Sequence, residues 1–179
     1  AEDPRRVLLG QGTGGGLPQV VFVNHFSGNR LGSEQALVYF GGPDGYAPDR
    51  RQEIPAWGAV ESLCCDLDDD GYAEIVLANC SENSVWLDPG SFVIDNGPDG
   101  LGTEPRWMLP TTRAHGLCCA DLNRNGYLDL VFVGFDNPEL LIFHGTADGF
   151  DTDHPQRLRL EKDGIVYKEP RWICLADFN

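Results

Sequence analysis

The chain is short of positive charge. Thirteen Lys and Arg stand against 28 Asp and Glu, a formal net charge of −15. A surface that acidic repels polyphosphate and anionic lipid, which excludes nucleic acid and a negatively charged membrane face as partners. No apolar run approaches the roughly 20 residues that cross a bilayer as a helix, so no membrane insertion is expected. Also lacking is any window with a sustained 3.6-residue apolar period and helix caps, so no long helix is expected. The chain has no G-x-S-x-G elbow, no Walker-type phosphate loop and no C-x-x-C pair at zinc spacing. Its four histidines, His25, His115, His144 and His154, are scattered and form no motif. These absences remove the commonest hydrolytic and nucleotide-dependent chemistries. No catalytic residue and no enzyme activity are expected.

What is present suffices for a packed core. Hydrophobic residues make up 41% of the chain, and its 22 Gly and 12 Pro are spread as turn punctuation rather than gathered into a linker. An internal repeat organises them. Asp66-Leu67-Asp68-Asp69-Asp70-Gly71-Tyr72-Ala73-Glu74 precedes the apolar run Ile75-Val76-Leu77-Ala78. Asp121-Leu122-Asn123-Arg124-Asn125-Gly126-Tyr127-Leu128-Asp129 precedes Leu130-Val131-Phe132-Val133, and the two copies start 55 residues apart. A third start follows at Asp177, 56 residues on. A second marker keeps the same phase: Gly42-Pro43-Asp44-Gly45, Gly97-Pro98-Asp99-Gly100 and the looser Thr146-Ala147-Asp148-Gly149.

Within each unit, short β-rich runs alternate with turns. The second unit predicts strands near 60–65, 73–79, 85–95 (broken at Pro89-Gly90) and 106–109. The third predicts them near 115–120, 128–134, 139–144 and 156–160. Runs apolar on successive residues are strands covered on both faces. The expectation is an all-β protein of β-propeller-type blades, each a four-stranded antiparallel sheet. The units are 1–59, a degenerate first blade without a calcium loop, then 60–114 and 115–169, each with one, and 170–179, the start of another. About three blades make a partial propeller or a stacked array.

The acidic loops have the chemistry of a hard-cation site. Calcium takes six to eight oxygens at about 2.3–2.6 Å. Oxygen side chains at positions 1, 3 and 5, glycine at 6, a backbone carbonyl at 7 and an acid at 9 supply them. In the first loop these are Asp66, Asp68, Asp70, Tyr72 and Glu74; in the second, Asp121, Asn123, Asn125, Tyr127 and Asp129. An EF-hand needs a bidentate Glu at position 12, where Leu77 and Phe132 stand. An acidic turn that binds nothing is the plain alternative. The first unit has Gln11-Gly12-Thr13-Gly14-Gly15-Gly16-Leu17-Pro18-Gln19 at the loop position, with no carboxylate, and no calcium is expected there.

The segments 65–76 and 120–131 resemble FG-GAP and VCBS-type repeats, which build the propeller of integrin alpha subunits and of many secreted proteins. The resemblance implies a β-propeller with Ca²⁺ in the hairpin between the first two strands of a blade. It also implies roles in adhesion, ligand binding and scaffolding.

Six cysteines, including Cys64-Cys65 and Cys118-Cys119 just before the loops, suit an oxidising compartment. Disulfides between blades, vicinal disulfides and buried free thiols all satisfy that count. Asn79-Cys80-Ser81 is the one glycosylation sequon, which makes Asn79 a candidate. The opening Ala1-Glu2-Asp3 fits a chain whose secretion signal has been removed. Trp57, Trp86, Trp107 and Trp172 are packing candidates, with sugar stacking open to one of them. The functional expectation is a secreted calcium-binding structural or interaction module, for adhesion, scaffolding or fibre formation. Its partner would be a protein, a glycan or further copies of itself. The runner-up is a carbohydrate-binding module, or the non-catalytic part of a secreted polysaccharide-active enzyme.

Overall fold

The computed structural model describes residues 4–10, 17–27, 30–31, 34–80 and 88–176. Most of the 11–19 loop, Ser81, Trp86 and Asp177 lie outside them. Among the described residues there is no helix, and the strands form three four-stranded antiparallel sheets with three two-residue ladders beside them. The first sheet runs β1 (Pro4–Gly10), β2 (Gln19–Asn24), β3 (Ala36–Tyr39), β4 (Arg51–Ile54). The second runs β5 (Ala59–Cys65), β6 (Glu74–Asn79), β7 (Ser91–Ile94), β8 (Pro105–Leu109). The third runs β9 (Ala114–Ala120), β10 (Asp129–Gly134), β11 (Glu139–Phe143), β12 (Gln156–Arg159). In each sheet the strands lie side by side in chain order, the meander that local hairpins produce.

The all-apolar runs become the second strands of the second and third sheets. Every residue of β6 and of β10 is buried. Strand side chains alternate between faces, so β6 serves two cores at once. Ile75 and Leu77 pack toward the first sheet with Val21, Val23, Val38 and Ile54. Val76 and Ala78 pack toward the third with Leu117, Leu130, Phe132 and Phe143. Phe132 and Phe143 meet edge to face at 5.8 Å between ring centres. Each large apolar side chain buried this way contributes on the order of 1.5–3 kcal/mol. The middle sheet therefore has no free face, as a propeller-like blade requires.

The first strands of successive sheets lie against one another, β1 on β5 and β5 on β9. Arg6 on β1 reaches the buried Glu61 on β5 at 2.9 Å. Gly10 makes the approach possible, because a Cβ there would come within 2.6 Å of the Cys64 Cβ. Between β5 and β9, the Cys65 and Cys119 thiols lie close enough to shift each other's titration, Cys65 up and Cys119 down. Cys64, Cys65, Cys118, Cys119 and Cys174 are thiols in this structure. Burial pushes the Cys64 thiol up to about 12 and that of Cys118 up to about 11. Beyond β9, a Cβ on Gly116 would lie 2.9 Å from the Arg171 carbonyl oxygen. The segment around Arg171 thus runs alongside β9, where a further first strand would be.

Asn79, the glycosylation candidate, is a structural residue instead. It is fully buried at the end of β6. Its Oδ1 accepts the Trp57 backbone N–H at 3.0 Å, and its Nδ2 donates to the Gly90 carbonyl at 2.8 Å. An amide nitrogen so placed has no room for a glycan. Asn79→Ala leaves two buried backbone groups unpartnered and should cost about 1–3 kcal/mol per lost bond, read as a lower midpoint in urea unfolding. The wild-type intact mass should equal the mass of the bare polypeptide; a hexose-bearing species in the folded fraction would contradict the assignment.

Candidate metal centre

Each loop joins the first strand of its sheet to the second, and both are built by the same backbone captures. In the first, the Asp66 carboxylate accepts the N–H of Asp70 at 3.1 Å and of Gly71 at 2.9 Å. Asp70 Oδ1 accepts the N–H of Tyr72 at 2.8 Å. In the second, Asp121 accepts the N–H of Asn125 at 3.0 Å and of Gly126 at 2.9 Å. Asn125 Oδ1 accepts the N–H of Tyr127 at 2.9 Å. The turn needs left-handed backbone at two places. Gly71 and Gly126 supply φ of 89° and 92°, and with nothing within 4 Å of a Cβ there, conformation rather than space selects glycine. Asp69 and Arg124, at position 4, also take φ of 60° and 58°.

The acid at position 9 starts the second strand and folds back beneath the loop. Glu74 Oε2 accepts the Leu67 N–H at 2.7 Å, and Asp129 Oδ2 accepts the Leu122 N–H at 2.9 Å. From here the loops diverge. In the first, Asp66, Asp68 and Glu74 each offer an oxygen within 4.8 Å of the others. Glu74 Oε1 is buried and accepts no hydrogen bond, an expensive condition for a carboxylate oxygen unless a cation answers it. Burial, opposed in part by the Leu67 N–H, pushes the Glu74 carboxyl up to about 7. Asp68 is also raised, by burial and then by the nearby Asp70. An all-oxygen set with an orphaned buried oxygen fits a hard divalent cation. Asp70, also expected as a donor, places one oxygen, Oδ1, on the Tyr72 N–H.

In the second loop no oxygen of Asp129 is left over. Oδ1 accepts the Gly145 N–H at 2.9 Å, and His144 Nδ1 stands 3.2 Å from Oδ2. Asn123 Nδ2 approaches His144 Nδ1 at 3.3 Å, and Asn125 Nδ2 donates to the Gly145 carbonyl at 2.8 Å. Among the described residues, the structure gathers no second group of three acidic, His or Cys side chains.

Two residues at the first loop escaped the sequence reading. Asp95, just past β7, adds its negative potential at Asp68 and Glu74. Arg106 on β8 pairs with Asp95 at 2.6 Å and lies 3.6 Å from Asp68. The same guanidinium sits 4.2 Å from the centre of the Trp107 ring, which meets Phe150, in a short hairpin of the next unit, edge-on at 5.5 Å. A cleft of about 190 Å³ opens between these groups. Only the strand register connects Asp95 to a loop starting at Asp66.

The Glu74 shift makes a pH prediction for the metal-free chain. Its carboxyl titrates near 4.5 when unfolded and near 7 when folded. Between those values the folded chain binds more protons, so this contribution is full below pH 4.5 and is lost as pH rises through 7. Glu74→Gln should remove that slope and stabilise the chelated protein at pH 8 by about 1–3 kcal/mol. Melting curves in chelator at pH 5 and pH 8 provide the check. A wild-type-to-variant gap that is the same at both pH values would refute it.

A family model described as the FG-GAP-like repeat matches residues 66–132. The match opens on Asp66, takes in both loops and ends inside β10. No curated protein sequence matches the chain. The repeated loop geometry and the four-stranded sheets agree with that match, which supports FG-GAP-type repeats over residues 66–132.

Proposed function

We propose that the protein is an extracellular calcium-binding module with a structural or interaction role rather than a catalytic one. The orphaned Glu74 Oε1, buried against Asp66 and Asp68, carries this reading. The donors at the first loop are all oxygens, with no imidazole or thiolate among the clustered three, which favours Ca²⁺ over a softer metal. Asp66, Asp68, Asp70, Glu74 and the backbone carbonyl of Tyr72 would hold the ion, with Asp70 also closing the turn through Tyr72. Bound there, it would supply the positive charge that the clustered carboxylates lack. The chain's own residues then do the mechanical work. Asp66 fixes the turn, Glu74 ties the turn to the buried β6, and Arg106 bridges from Asp68 and Asp95 to the contact of Trp107 with Phe150, in the short hairpin that follows β11. A stiffened loop thus stiffens a joint between sheets. Extracellular calcium modules work at about 10⁻⁴–10⁻³ M, the range in which this site is proposed to fill.

The partner is a protein, a glycan or another copy of the chain. Val7 and Leu9, exposed on the same face of β1, support self-association. The carbohydrate-binding reading finds no platform at Trp107, whose ring already meets Arg106 and Phe150. Among the described tryptophans, Trp172, which is 72% exposed, has a ring open to a sugar.

Millimolar Ca²⁺ should raise the melting midpoint over that in excess chelator. With Kd at about 10⁻⁴–10⁻³ M, about 1 mM Ca²⁺ contributes about 0.4–1.4 kcal/mol, which for a chain of this size is roughly 1–6 °C. Asp66→Asn should abolish the shift. A wild-type midpoint that chelator leaves unmoved rules the reading out.

A further inference from the structure

The two loops share their backbone, yet their fourth sides differ. Ile75 and Leu130 both stand nine residues after the first aspartate of their loop. Ile75 pairs with Ile94 and Leu130 with Phe143. The next residues along, Asp95 and His144, therefore occupy equivalent places beside their loops. Each is held from the fourth strand of its sheet, Asp95 by Arg106 at 2.6 Å and His144 Nε2 by Gln156 Oε1 at 2.9 Å.

We infer that the second loop is not a calcium site and that His144 closes it, standing where the second sheet presents the Asp95 carboxylate. Asp129 Oδ2 already receives the Leu122 N–H and faces His144 Nδ1, and its Oδ1 receives the Gly145 N–H. Asn123 turns its amide toward the imidazole, and Asn125 spends its own on the Gly145 carbonyl. A cation entering here would have to break these contacts and displace a nitrogen heterocycle that calcium does not favour as a ligand. The first loop, by contrast, has an acceptor waiting. One motif thus gives one cation-dependent joint and one self-satisfied joint, and His144 is the residue that selects between them. This inference rests on the calcium reading of the first loop for its contrast, but its test is independent of that reading.

Calcium titration calorimetry up to about 10⁻³ M, the range of extracellular modules, measures the stoichiometry. Wild type should bind one ion, D66N none and D66N/H144D one, through a carboxylate restored at the equivalent place. D121N in the otherwise wild-type chain should keep the single site and the calcium-induced melting shift, which tests the idea without touching His144. Retention of a site by D66N that D121N removes would overturn it. So would a D66N/H144D chain that folds, by circular dichroism, and binds no ion. A wild type that binds nothing beside an H144D chain that binds one ion would refute the first-loop reading and leave this inference standing.

Discussion

One carboxylate gripping two consecutive backbone N–H groups is the interaction on which the rest depends. Asp66 and Asp121 each do this. The grip closes an eight-residue excursion into a fixed turn and brings the acid at position 9 back under it. It thereby sets the register of the first hairpin in each sheet. In both hairpins the last residue of the first strand pairs with that acid, Cys65 with Glu74 and Ala120 with Asp129. That register decides which side chains of β6 and β10 face which neighbour. Local polar chemistry and distant apolar packing are therefore joined at one residue, since a slip of one position would exchange the two cores.

Much of this was legible because it is local. Runs such as Ile75-Val76-Leu77-Ala78 show no alternation, which only a strand covered on both faces tolerates. Glycine at position 6 announces a left-handed turn. Strand positions in the second and third units follow closely, except that the expected run over 85–95 narrows to β7 within the described residues, because Pro89 and Gly90 break it. Position 4 was illegible. Asp69 and Arg124 carry no signal of a positive φ, which the Asp bracket around them imposes.

What depends on packing between sheets was also hidden. Asn79 matched a three-residue modification motif, but its role is settled by Trp57 and Gly90, far away in the chain. The inequality of the two loops lies neither in their nine residues alone nor in their net charge. It lies in whether the third strand brings Asp95 or His144 alongside, and in whether the acid at position 9 is long enough to keep an oxygen free. Glu74 has one more methylene than Asp129, and it is Glu74 whose second oxygen has no hydrogen-bonding partner.

The close seat of Gly10 against Cys64 bears on how such a chain can change length. Cys119 stands 55 residues after Cys64, at the same place in its own sheet. Excision of one whole period would set Cys119 opposite Gly10, a like residue at a like joint. At this seat the seam is interchangeable, so gain or loss of a complete unit keeps a cysteine against Gly10, but Gly116 stands one period after Glu61 and would leave Arg6 without its carboxylate.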